Sequence, residues 1–179
     1  MLTITIPATE MFNDETQEFF TLKEQTIQLE HSLVSLSKWE SKWHKPFLTK
    51  DKKTLAETID YIRCMTITQN VNPDVYTRLS NSNIAEIEEY IENPMTATTF
   101  SNLNQKASRE IITSELIYYW MISLNIPMEC QKWHLNRLLT LVRVCNVKNT
   151  PPKKMGKSDI ISRNAALNAA RRKQLGTKG

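Results

Sequence analysis

The spacing of apolar residues changes period once along the chain. Leu2, Ile4 and Ile6 alternate with Thr3 and Thr5 before Pro7, a period of two that predicts a short strand. Ile27, Leu29 and His31 alternate with Gln28 and Glu30 and predict its partner, so residues 1–31 are expected to hold a small β ribbon. The acidic, phenylalanine-bearing stretch MFNDETQEFF lies between the two runs. From Ser32 the period becomes helical. Leu33, Leu36, Trp39 and Trp43 share a face that ends before Pro46. Thr54 caps a run bearing Leu55, Ile59, Ile62 and Met65, with Glu57 placed to close a capping box. Asn72 and Pro73 open a short helical turn through Leu79, and Ser82 caps a helix with Ile84, Ile87 and Ile91 inward, stopped by Pro94. MTATTFSNLNQKA has no period and reads as a loop.

The most apolar segment, SREIITSELIYYWMISLNI, starts at Ser108 and is hydrophobic nearly all round after Glu115, which predicts a central buried helix. Pro127 fits the first turn of a following helix that presents Cys130, Trp133, Leu138, Leu141, Val142 and Cys145. The link between them is short, so the pair over Ser108 to Leu124 and Pro127 to Asn146 is expected to be an antiparallel helical hairpin. Trp120, Trp133, Leu138 and Leu141 are its expected core. KNTPPKKMGKSD then breaks the pattern, and Ser158 is placed to cap a last helix, ISRNAALNAARRKQL, with few apolar anchors. The expected fold is mainly α: a compact domain over 1–146 (ribbon 1–31, helices 32–146), then a basic linker and helical arm over 147–179.

Charge sharpens that division. Residues 147–179 carry nine Lys/Arg against Asp159 alone, a net of +8, while residues 1–146 carry 14 Lys/Arg and 18 Asp/Glu, a net of −4. An acidic body with a basic arm suggests that the arm either meets an acidic partner or lies against the protein's own body. Lys153, Lys154, Lys157, Arg163, Arg171, Arg172 and Lys173 are the candidate partner-binding residues. They could also neutralise phosphates, although no recognition helix accompanies them. Apolar residues make up 40% of the chain, enough for a core without metal or disulfide. Three cysteines, Cys64, Cys130 and Cys145, are an odd, scattered set expected to stay reduced. The Leu116 to Ile126 stretch is about half of a membrane span, and the N-terminus lacks a basic start, so a soluble, unexported protein is expected.

Candidate chemistry is sparse. Cys130 and His134 are spaced for one zinc, but further ligands are scattered singly. Glu115, Tyr118, Tyr119 and Glu129 suggest acid–base groups without an evident shared cleft. SKWESKWHKPF reads either as a stacking surface for bases or as a core-facing tryptophan pair with lysines on the wet side. The second reading is favoured. No phosphate loop, nucleophile elbow or two-histidine metal helix is present, so neither an enzyme nor a cofactor is expected.

Four stretches, LSKWESKWHKPF, ETIDYIRCMTI, SREIITSELIYYWMISLNIPMECQKWHLNRLLTLVRVCNVKN and PPKKM…SRNAALNAARRKQLGTKG, resemble a family of small tailed-bacteriophage proteins encoded among tail genes. The resemblance covers most of the chain from Ser35 onward. It implies a tail assembly chaperone, non-enzymatic, that coats the apolar tape measure protein in the host cytoplasm until the tube polymerises around it. It is equally compatible with a virion component (tail, baseplate or connector) whose arm lies on a neighbouring subunit. A homo-oligomer and a nucleic-acid contact by the arm are further readings, and no membrane partner is expected.

Overall fold

The two alternating runs at the N-terminus pair with each other. The computed structural model describes residues 1–13, 17–100, 110–150 and 156–176. Strand β1 (Leu2–Ile6) runs antiparallel to β4 (Gln25–Leu29), with Leu2 opposite Leu29 and Ile4 opposite Ile27. The alternation therefore puts Ile4, Ile6, Ile27 and Leu29 on one buried face and the threonines on the other. Between them is a ribbon that the pattern did not predict. β2 (Thr9–Asn13) pairs antiparallel with β3 (Glu18–Leu22), Phe12 opposite Phe19. Phe12, Phe19 and Phe20 are all exposed. A ribbon whose described side chains are nowhere fully buried has no buried face to impose an apolar–polar alternation on its sequence.

Helix α1 (Leu33–Trp43) starts where Ser32 and Ser35 cap each other reciprocally, and α2 (Leu55–Met65) starts on the expected Thr54–Glu57 capping box. Asn72 caps a 3-10 turn over Pro73–Arg78. Helix α3 (Asn81–Glu92) is capped by Ser80 rather than Ser82, because Ser80 and Asn83 exchange side-chain-to-backbone hydrogen bonds. After α2 the backbone runs along the ribbon, with Ile67 N donating to Gln28 O at 2.8 Å.

Two apolar clusters form the core. In one, Ile4, Ile27, Trp39, Tyr61, Ile62, Met65 and Ile87 bring the ribbon together with α1, α2 and α3. In the other, Leu33, Leu36, Ile117, Met121, Leu135 and Leu138 join α1 to helices α4 (Ser114–Ser123) and α5 (Leu135–Asn149). Helix α1 thus serves both clusters.

This arrangement corrects the expected pairing. Residues Ser108 and Arg109 lie outside the described set, Glu110 to Thr113 are not helical, and α4 packs chiefly on α1. Pro127 precedes a 3-10 turn, Met128–Lys132, instead of opening α5. Of the expected core, Leu138 is fully buried, but Trp120, Trp133 and Leu141 are only partly buried and pack against the rim of the second cluster. The all-round hydrophobicity of α4 misleads here: Tyr119 and Ile122 on its outer side are 63% and 67% exposed.

The chain divides into two units, Met1–Asn146 and Val147–Gly179. The second contains helix α6 (Lys157–Leu175), closed by Gly176 in the left-handed conformation at φ 63°. Gly156 occupies its cap position with no side-chain hydrogen bond, so Ser158 lies within the helix instead of capping it.

Candidate functional site

In α6 every described side chain is exposed. Lys157, Arg163, Arg171, Arg172 and Lys173 all lie on it, whereas Lys153 and Lys154 fall outside the described residues. At about 100° per residue, Ile160, Ile161, Leu167 and Leu175 fall within roughly one third of the helix circumference. They are 44%, 68%, 47% and 74% exposed. The arm is therefore a helix whose sparse apolar positions are interspersed with cations, Lys157 and Arg171 falling within the same third of the circumference, a surface suited to docking on a partner.

The tryptophan-rich run resolves into core. Trp39 is buried and Trp43 half-buried, with their rings 6.1 Å apart. The Trp39 indole donates to Glu57 O and the Trp43 indole to Asp60 Oδ2, each at 2.9 Å. Lys42 is held by Asp60, and Lys45 by Glu57 at 2.6 Å. The Lys45 ammonium and the Thr54 backbone N–H hold the Glu57 carboxyl down to about 2. Neither ring is presented as a stacking platform.

Sequence reasoning missed a cleft of about 360 Å³ beside this run. Phe47 and Tyr61, stacked with centroids 3.8 Å apart, line it together with Ile62, Ile84, Ile87 and Ile91. Lys52, Lys53 and Glu88 stand among the lining residues. Lys53 Nζ sits 4.4 Å from the Phe47 ring centroid, and burial lowers its pKa against the opposing pull of Glu57 and Asp51. The Thr58 hydroxyl is already used, donating to Thr54 O at 3.1 Å. The cleft can hold an apolar group carrying an anion. Its signal in the sequence is only the stretch KDKK from Lys50 to Lys53, which is indistinguishable there from a solvated loop.

A second feature unread from the sequence is a buried polar chain. The Tyr61 hydroxyl lies 2.6 Å from His31 Nδ1, and the His31 and His134 rings meet edge-on at 5.1 Å. His134 Nε2 donates to Tyr90 O at 3.0 Å, while the Tyr90 hydroxyl donates to Glu30 at 2.6 Å. Glu30 also pairs with the Met1 amino group at 3.1 Å. Burial, reinforced by His134, pushes His31 down to about 3, and burial likewise lowers His134. Both rings are thus neutral near pH 7, and they tie β4 to the start of α5.

The remaining sequence candidates are spread over α4, the 3-10 turn and the start of α5. Cys130 lies in the 3-10 turn while His134 precedes α5, and no cluster suited to a metal ion occurs among the described residues. Glu115, Tyr119 and Glu129 are exposed, and Tyr118 donates to Gln131 at 2.9 Å. All three cysteines are free. No helix among the described residues is long and apolar enough to cross a membrane. No protein-family model matches this chain, and no curated protein or solved structure matches it.

Proposed function

We propose that this chain works by binding other proteins, as a bacteriophage tail assembly chaperone that engages the tape measure protein during tail morphogenesis. The observation that carries this reading is the arm. A helix of 19 residues exposes Ile160, Ile161, Leu167 and Leu175 together with Arg163, Arg171, Arg172 and Lys173. An exposed stripe of this kind costs solvation until something covers it, and a helix with so few internal anchors gains order from a partner. The first unit holds two packed clusters and a cleft whose apolar walls suit a partner's side chain. The resemblance of the chain from Ser35 onward supplies the identity of the partner.

Copy number in purified phage particles tests this. A chaperone leaves before the virion is complete, so mass spectra of particles should lack this chain, and phage without it should make no tails. A virion component, with its arm laid on a neighbouring subunit, would instead be present in several copies per particle. That result would overturn the chaperone reading.

A further inference from the structure

The negative charge of the first unit is not spread over it. From Ala8 to Glu24 there are five acids and one lysine, a net of −4. The rest of residues 1–146 holds 13 Lys/Arg and 13 Asp/Glu and is neutral. The whole acidic excess therefore belongs to the segment that forms the β2–β3 ribbon.

That ribbon also carries uncovered apolar side chains. Phe12 and Phe19 face each other with ring centroids 5.0 Å apart, yet remain 43% and 76% exposed. Phe20 on the opposite face is 42% exposed. The ribbon belongs to a two-stranded sheet of its own. An isolated two-stranded ribbon is marginally stable in water, and the edges of such a ribbon can pair with another chain. A surface of this sort is completed by a partner that is basic, apolar and elongated.

Helix α6 has that chemistry: +8 over residues 147–179, with Ile160, Ile161, Leu167 and Leu175 exposed. We infer that the arm of one copy docks on the acidic phenylalanine ribbon of a second copy, so that the chain self-associates by exchange of basic arms. Opposite charge steers and registers the encounter, while Phe12 and Phe19 cover Ile161 and Leu167 and provide the contact that salt does not screen. The inference rests on the reading of the arm as a protein-docking helix and assigns its contact in the free chain, before any tape measure protein is bound.

Charge reversal on exposed positions of the full chain tests it without touching either core. Sedimentation velocity across a concentration series should show concentration-dependent association of the wild type at about 0.1 M salt. Arg171→Glu with Arg172→Glu, and separately Glu10→Lys with Glu18→Lys, should each weaken association about tenfold or more. Mixing the two variants should restore it, because the intact arm of one meets the intact ribbon of the other. Phe19→Ser should weaken association without changing the circular dichroism of the fold. A wild type that stays monomeric throughout, single reversals that associate normally, or a mixture that fails to assemble would each overturn the inference. A monomer whose reversals change only its own compactness would assign the arm to its own ribbon instead. None of these results bears on whether the chain is found in purified particles, so failure here and failure of the chaperone reading are distinguishable.

Discussion

The Glu40 carboxylate bonds the backbone N–H of Ser114, 74 residues away in the sequence, at 2.7 Å. Its other oxygen accepts from Phe47 N at 2.8 Å. One buried side chain on α1 thus fixes both the loop that carries Phe47 into the cleft and the first residue of α4. Glu40→Ala strands two backbone donors and should lower unfolding free energy by roughly 2–4 kcal/mol. Glu40→Gln retains one acceptor and should cost about half as much. Urea denaturation of the three proteins reads the difference, and equal stability of wild type and Glu40→Ala would refute the role.

Acid should unfold this protein through its buried histidines. His31 is held down to about 3 and His134 is also lowered, both first by burial. Below the ordinary histidine pKa of about 6.5, the unfolded chain binds protons that the folded chain refuses. Stability is therefore full above that value and falls as the pH drops toward about 3. The slope for one such histidine approaches about 1.4 kcal/mol per pH unit. Denaturation at pH 7 and pH 5 should show the loss, and His31→Asn should flatten it relative to wild type. An unchanged slope in that variant would remove His31 from the account.

Leu138 is fully buried, whereas Ile161 is 68% exposed. Leu138→Ala should cost about 2–5 kcal/mol, and Ile161→Ala less than about 0.5 kcal/mol. Thermal unfolding of both variants measures this contrast. It also separates folding from docking, since Ile161→Ala should impair partner contact while leaving the melting curve in place.

If the arm meets protein, its affinity for duplex DNA should be weak and vanish near physiological salt. Five cations on α6 give the helix some attraction for phosphates, but the acidic ribbon on the first unit opposes the same polyanion. Binding titrations of the full chain at low and physiological salt distinguish the cases. Tight binding that survives physiological salt and is lost in Arg171→Glu with Arg172→Glu would promote nucleic acid over protein as the partner.

The secondary structure was largely readable because its signals are local. The alternation of Ile4 and Ile6 with threonines, the Ser32 start of α1, the Thr54–Glu57 capping box and the Asn72–Pro73 opening each depend on residues a few positions apart. Where local signals competed, the structure decided. Ser80 displaced Ser82 as a cap because Asn83 could reciprocate only with the former. The β2–β3 ribbon was not legible because none of its described side chains is fully buried.

By itself, then, the sequence determined a mainly helical chain with a short ribbon ahead of it and a strong charge asymmetry toward its C-terminal end. All of these follow from periodicity and composition. It could not determine which helices meet. The apolar stripe of a helix states that it must be covered, without saying by what, so the most hydrophobic segment was expected to pair with its neighbour in sequence. Only tertiary structure revealed that α1 serves both clusters through Leu33, Leu36 and Trp39, leaving Trp120 at the rim. Glu40, His31 and the Phe47–Tyr61 cleft were hidden for the same reason. Their partners lie at sequence separations of 74, 30 and 14 residues, and bonds of that reach leave no period for a sequence to display.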